Sequence, residues 1–328
     1  MKYVIWGTGE FSKFVLKNID AACIETFIDN DQEKIGKIIN GKSIISLEEY
    51  IARKSEFTGK ICIASQAYKE ISEQLVRAGF TEEIDFFDGV ERLTNEDIIN
   101  IFGMESFIET EFIEIFKETK KYTMTNWVRM YSLYKSVKYI VSNGIQGDFI
   151  ECGVWRGGSA LIMVKTLERL GVFDRTVFLF DTFKGMSKPV KGVDISLSGG
   201  SAIEKWDILQ GEGYNNWCYA SLEDVKNNFK QVNYPENKIK FIEGDVLETI
   251  PETNIDKIAL LRLDTDWYES TKIELEYLFP KLQEKGVLIL DDFGDWLGAQ
   301  KATVEYFEKI NCELFLHRID PGARIAIK

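Results

Sequence analysis

Short apolar runs recur along the chain, each closing on a glycine turn or a carboxylate and each followed by residues at helical spacing. Lys2-Tyr3-Val4-Ile5-Trp6 reads as a buried strand, and Gly7-Thr8-Gly9-Glu10-Phe11 as a glycine turn that opens a helix running to about Asn18. Glu25-Thr26-Phe27-Ile28-Asp29 is a second strand that ends on an acid, and Lys60-Ile61-Cys62-Ile63-Ala64 is a third. Residues 68–78 then place apolar side chains on one helical face. Strands alternating with helices predict a parallel, doubly wound sheet. The strand pattern disappears between about 94 and 143, where helical runs over 96–121 and 127–143 flank Tyr122-Thr123-Met124-Thr125-Asn126. It resumes at Gly147 with strands over 148–152, 176–180, 239–242, 258–263 and 287–290. Residues 313–317 and 324–327, split by Asp320-Pro321-Gly322, predict an antiparallel hairpin.

The expected fold class is therefore α/β, with two Rossmann-like doubly wound sheets joined by a helical segment. The expected domains are 1–93, a helical connector and lid over 94–146, and 147–328. Residues 186–217 form a long Gly/Ser/Lys-rich insertion without periodicity, the kind of loop that serves function or moves.

Composition narrows the function classes. The 328 residues carry 40 Lys+Arg against 53 Asp+Glu, a net charge of −13. Such a surface repels polyanions, which argues against nucleic acid and acidic lipid as partners. No apolar stretch approaches the ~20 residues of a membrane span, and the start shows no secretory pattern. Five dispersed cysteines without a C-x-x-C pair fit reduced thiols and a cytoplasmic location. The single histidine, His317, excludes a multi-histidine zinc site.

Two glycine turns are candidate ligand sites. The first, Gly7-x-Gly9-x-x-Ser12, has Asp29 twenty positions beyond Gly9, where a dinucleotide site would keep its ribose-binding acid. Ser12 replaces the third glycine of that fingerprint, so a recognition domain without chemistry is the competing reading. The second, Glu151-Cys152-Gly153-Val154-Trp155-Arg156-Gly157-Gly158-Ser159, joins a strand to a helix whose free N–H groups face the turn. Glu151 at the strand tip favours a ligand with positive charge, and the ammonium and sulfonium of S-adenosylmethionine fit. Asp181 and Thr182 follow the next strand, where Asp181 is placed for ribose hydroxyls. Asp245 follows the one after, where it is placed for an adenine amino group. Each of these acids read alone is equally a loop cap.

The densest acidic groups are Asp264-Thr265-Asp266-Trp267-Tyr268-Glu269 and Asp291-Asp292, both just beyond apolar strands. Neighbouring carboxylates with no basic residue among them repel, and a hard divalent cation relieves that repulsion. Oxygen-only ligands favour Mg²⁺ or Mn²⁺. Asp264, Asp291 and Asp292 are the expected ligands; Glu269 and Asp295 read as solvated helix caps.

Residues 147–159, Asp181-Thr182-Phe183-Lys184-Gly185-Met186 and 259–271 together resemble the macrocin O-methyltransferase (TylF/MycF-type) family, whose members use S-adenosylmethionine and Mg²⁺ to methylate sugar hydroxyls. The likeness runs from about Tyr122 to Asp320 and implies a class I methyltransferase fold for the second domain. It implies that Asp264, Asp291 and Asp292 hold the metal, that Asp264 also serves as base, and that Met124 and Thr125 belong to a segment closing over the cofactor. Gly153, Gly157 and Gly158 would border that cofactor. The expected acceptor is a sugar or glycosylated small molecule, and a homo-oligomer is expected. His317 is a rival base, though its place in an apolar strand reads as structural. The alternative function is an NAD(P)- or nucleotide-sugar-binding enzyme or sensor acting through Gly7, Gly9 and Asp29.

Overall fold

The computed structural model describes residues 2–328 except 18, 66, 83, 90–98, 100–103, 105–106 and 198–200. The chain forms two compact units, Met1–Lys121 and Tyr122–Lys328. The division falls inside the stretch expected to act as a connector, and the expected boundary at 93/94 lies outside the described residues, as does most of the start of the helical run over 96–121. That run is described as the helix Thr110–Thr119, in the first unit, whereas the helix Trp127–Ser142 belongs to the second.

In the first unit, β1 (Tyr3–Trp6), β2 (Ile24–Ile28), β3 (Ile38–Ile39), β4 (Lys42–Ile45), β5 (Lys60–Ile63) and β6 (Phe86–Asp88) build one sheet in the order β3-β4-β2-β1-β5-β6. All pairings are parallel except β3 with β4. That hairpin turns on Asn40-Gly41, both at positive φ (50° and 75°), the two-residue turn that Asn-Gly favours. It is an addition to the expected strands, and the Asn-Gly pair was its signal. Ser46 caps the helix Leu47–Ala52 by accepting from the Glu49 N–H at 3.1 Å, which sets Tyr50 into the core against Trp6, Ile28 and Phe86.

In the second unit, β7 (Asp148–Cys152), β8 (Val177–Asp181), β9 (Ile239–Glu243), β10 (Ile258–Leu263), β11 (Leu282–Leu290), β12 (His317–Arg318) and β13 (Arg324–Ile327) form a mixed sheet ordered β12-β13-β11-β10-β7-β8-β9. The five strands from β11 to β9 run parallel, and β13 and β12 close the edge antiparallel. The first arm of the expected hairpin is only His317–Arg318; Glu313–Leu316 precede it outside the ladder. Every residue of β10 is buried, as befits the centre of a parallel sheet covered on both faces. Arg262 is the exception in kind, a charge inside an otherwise apolar strand.

The described residues of the stretch 186–217 carry more regular structure than their composition suggests. They contain the helix Ala202–Ile208, and backbone bonds from Leu197 N–H to Asp295 and from Leu297 N–H to Ile195, both 2.9 Å, tie them to the acidic edge. Trp217, Trp267 and Trp296 pack ring against ring there, with centroids 4.9–5.9 Å apart.

Candidate active site

Parallel register brings three strand tips into line. Leu263 is paired with Cys152 on one side and Leu290 on the other, and the Asp264 and Asp291 N–H groups extend the ladder to Cys152 and Leu263 at 2.9 Å each. Asp264, Asp291 and Asp292 therefore converge, with one carboxylate oxygen from each within 4.8 Å of the others. A cavity of about 390 Å³ reaches from these acids to the segment 122–126, a size within the range of small-molecule sites.

Among the expected cofactor residues, Met124, Thr125, Gly153, Gly158, Asp181, Thr182 and Asp245 line this cavity; Glu151 and Gly157 do not. Gly153 lies at φ +82°, and a Cβ there would stand 1.8 Å from the Asp264 carbonyl oxygen. A Cβ on Gly158 would meet the Tyr122 carbonyl at 2.6 Å. Both glycines thus admit the chain's own backbone, and Gly158 lets the segment 122–126 lie directly over the turn. Gly157, at φ +86°, faces the Phe229 ring instead of the cavity.

Asp181 fixes the turn from the neighbouring strand. Its Oδ2 accepts from the Val154 and Trp155 N–H groups at 2.7 and 2.9 Å, and its Oδ1 from Phe183 N–H at 2.7 Å. Burial pushes its carboxyl up even so, against the lowering effect of those bonds. Thr182 donates to the Gly185 carbonyl at 2.7 Å. Asp245 caps the helix Val246–Glu252 through Leu247 N–H at 2.9 Å while its residue borders the cavity.

The expectation that no basic residue stands among the acids is overturned by Arg262. Its Nη1 donates to Glu151 Oε1 at 2.6 Å and to Asp264 Oδ2 at 2.7 Å, and its Nη2 to Asp291 Oδ1 at 2.7 Å. The register explains the first contact, because Arg262 lies beside Glu151 in adjacent parallel strands. Glu151, 1% exposed, is thus turned to an internal arginine, and its Oε2 is buried without a partner. The sequence signal was a lone Arg in Leu-Leu-Arg-Leu-Asp.

Asp266 is a second residue whose part the sequence reading left unassigned. It is held at φ +68°, lines the cavity and lies within hydrogen-bonding reach of the Asp292 carboxyl and the Trp296 side chain. Burial and then the Asp264 charge raise Asp266 to about 8. Burial likewise raises Asp264 to about 6, Arg262 opposing and Asp291 reinforcing the rise. Asp292 is driven well up by burial and by Asp266, Asp264 and Asp291, and its Oδ2 is buried without a hydrogen-bond partner. His317 is exposed on the edge strand β12, beside Phe315, and does not line the cavity.

In the first unit, Asp29 is engaged by its own chain. Its Oδ2 accepts from the Thr8 N–H at 3.0 Å and from the Thr8 hydroxyl, its Oδ1 from Asp31 N–H at 3.0 Å, and Lys34 Nζ lies 3.3 Å away. A Cβ on Gly7 would sit 2.8 Å from the Ala64 carbonyl oxygen, so that glycine is required by packing; around Gly9 the space is open.

Fold and site together define an α/β methyltransferase unit. The solved O-methyltransferase NovP shares this fold at a TM-score of 0.56 and 28% identity, over 66% of this chain and 87% of that one. The chain belongs to the macrocin-O-methyltransferase (TylF) family, whose profile matches residues 117–325; residues 1–84 match the profile described as C2185-like, N-terminal. The demethyldecarbamoylnovobiocin O-methyltransferase of Streptomyces niveus is 32% identical over 199 residues, covering 61% of this chain and 72% of that protein. A Streptomyces olivaceus enzyme, 8-demethyl-8-(2,3-dimethoxy-alpha-L-rhamnosyl)-tetracenomycin-C 4'-O-methyltransferase, is 33% identical over 172 residues, 52% of this chain and 62% of its own length.

Proposed function

We propose that the second unit is an S-adenosylmethionine-dependent O-methyltransferase acting on a hydroxyl of a sugar or glycosylated small molecule, with Mg²⁺ or Mn²⁺ held by Asp264, Asp291 and Asp292. The observation that carries this reading is the convergence of three carboxylates at the end of a 390 Å³ cavity, one of them with a buried, unpartnered oxygen. An all-oxygen donor set with an orphaned lone pair suits a hard dication. The cavity, floored by Gly153 and Gly158 and bordered by Asp181 and Asp245, suits the donor. When bound, S-adenosylmethionine supplies an electrophilic methyl and the divalent ion a Lewis acid for the acceptor oxygen.

The chain's own residues do the rest. Asp181 holds the Val154 and Trp155 N–H groups in place, which shapes the turn under the cofactor. The segment 122–126 covers that turn and limits water access. Asp264, the expected base, is already bound to Arg262 at 2.7 Å. Asp266 lines the same cavity as Asp264, so it joins Asp264 as a candidate base.

The first unit we read as a Rossmann-like module that positions an acceptor or partner without chemistry of its own, since Asp29 is satisfied by Thr8, Asp31 and Lys34. Incubating the full chain with S-adenosylmethionine and a panel of free, nucleotide-linked and natural-product glycosides, with mass spectrometry of the products, tests the assignment. One added methyl on a sugar oxygen is expected. Methylation confined to non-glycosylated phenols would overturn the acceptor class, and redox turnover with NAD would move the chemistry to the first unit.

A further inference from the structure

Arg129 takes no part in the chemistry above, yet it is built into the acidic edge. It lies in the first turn of the helix Trp127–Ser142, just after the segment 122–126. Its guanidinium is divided among three carboxylates from distant parts of the chain. Nη1 donates to Asp291 Oδ2, Nε to Asp320 Oδ2 at 2.7 Å and Nη2 to Asp295 Oδ2 at 3.1 Å. Asn126, the last residue of the segment, accepts from the Arg129 N–H at 3.0 Å and donates to Asp320 at 2.7 Å. The other oxygen of Asp320 accepts from the Gly322 and Ala323 N–H groups at 2.9 and 2.8 Å. Room for the guanidinium depends on Gly322, where a Cβ would fall 2.2 Å from Arg129 Nη2 and 2.1 Å from Asp295 Oδ2. This is a seat shaped for a forked cation, and one of its walls is a proposed metal ligand.

We propose that Arg129 is a positioning residue that competes with the divalent ion for Asp291 and thereby links ion binding to the seating of the segment 122–126. The inference rests on the metal reading given above. Asp291 Oδ1 already accepts from Arg262 at 2.7 Å, so both of its oxygens carry a guanidinium. A dication arriving at Asp264, Asp291 and Asp292 shares Asp291 with Arg129. Two cations on one carboxylate repel, and the hold of Arg129 on that oxygen weakens. Asp295 and Asp320 keep the arginine at the edge, while the cavity-lining residues just ahead of it lose part of their anchor. Linkage makes the effect reciprocal: seating the segment firmly lowers affinity for the ion.

The test uses the full chain, stripped with chelator, with calorimetric titration of Mn²⁺ and Mg²⁺ and amide exchange over residues 122–129. Arg129→Met should bind the ion about tenfold or more tightly, the effect of removing one nearby like charge. Arg129→Lys, which keeps the charge, should stay near the native affinity. Asp320→Asn, which leaves the Arg129 charge less compensated, should bind several-fold more weakly, and it supplies a readout if the methionine variant does not fold. In the native protein the ion should speed exchange over 122–126; in Arg129→Met that exchange should be fast already and indifferent to the ion. Unchanged or weaker ion affinity in Arg129→Met, or native exchange that ignores the ion, overturns the proposal and leaves the metal reading standing. No ion binding by the native protein overturns both.

Discussion

In the first unit the acid after β2, Asp29, accepts from the N–H of Thr8 in the glycine turn; in the second the acid at the tip of β8, Asp181, accepts from Val154 and Trp155. The local device is the same, an acid one strand over that fastens a glycine turn. It holds the backbone in both units and by itself identifies no ligand. What separates the units lies one layer further along the sheet. Asp29 is compensated by Lys34, whose side chain is 37% exposed. The acids of the second unit are set around Arg262, whose side chain is 3% exposed, in a strand with no residue at the surface. Burying that much charge is costly unless every group is paired. An arrangement that leaves Asp292 Oδ2 without a partner beside Asp264 and Asp291 is one that the proposed cation would complete.

The largest expected effect follows from that contrast. Arg262→Met leaves buried carboxylates uncompensated and should lower stability to denaturant by about 3–5 kcal/mol. Lys34→Met, at a surface pair of the first unit, should cost under about 1 kcal/mol. Equal losses would erase the distinction between the units. Next, Asp292→Asn should reduce methyl transfer at least about 100-fold, as loss of Lewis-acid assistance would, with S-adenosylmethionine affinity by calorimetry nearly unchanged. A matching loss of cofactor affinity would place Asp292 in the wrong subsite.

A third outcome concerns pH. Burial raises two of the proposed ligands, Asp264 to about 6 and Asp292 well above the usual carboxylate range, and an acid that holds its proton cannot ligate an ion. Ion affinity should therefore be weakest below about pH 6 and climb as the pH rises above it. A flat titration over that range would show that the acids are not coupled to the ion. The smallest effect belongs to the first unit. Asp29→Ala should destabilise that unit by about 1 kcal/mol through lost hydrogen bonds to Thr8 and Asp31, and a calorimetric S-adenosylmethionine titration should be unmoved.

Much of this was legible because it is local. Strand tips, glycine turns and the acids beyond them follow from short apolar runs and from the period of the helices between them. Asp264, Asp291 and Asp292 could be brought to one place from sequence because parallel order sends successive strand ends to the same edge. Arg262 was hidden by its own strand: in Leu-Leu-Arg-Leu a single charge reads as an interruption until register sets it beside Glu151. Arg129 was out of reach, since its partners Asp291, Asp295 and Asp320 lie 162 to 191 positions away and no spacing rule joins a helix start to a distant loop. The glycines were found for an incomplete reason. Gly153 and Gly158 were expected to admit a ligand, and they first admit the backbone of Asp264 and Tyr122.

The proposed chemistry turns on a divalent ion at the acids that follow β10 and β11. Methyl transfer should be followed as S-adenosylhomocysteine release with an accepted glycoside, first after exhaustive chelation and then with Mg²⁺ or Mn²⁺ restored. Turnover should stop in chelator and return with the ion; undiminished turnover in the stripped protein would mean that these acids work without one.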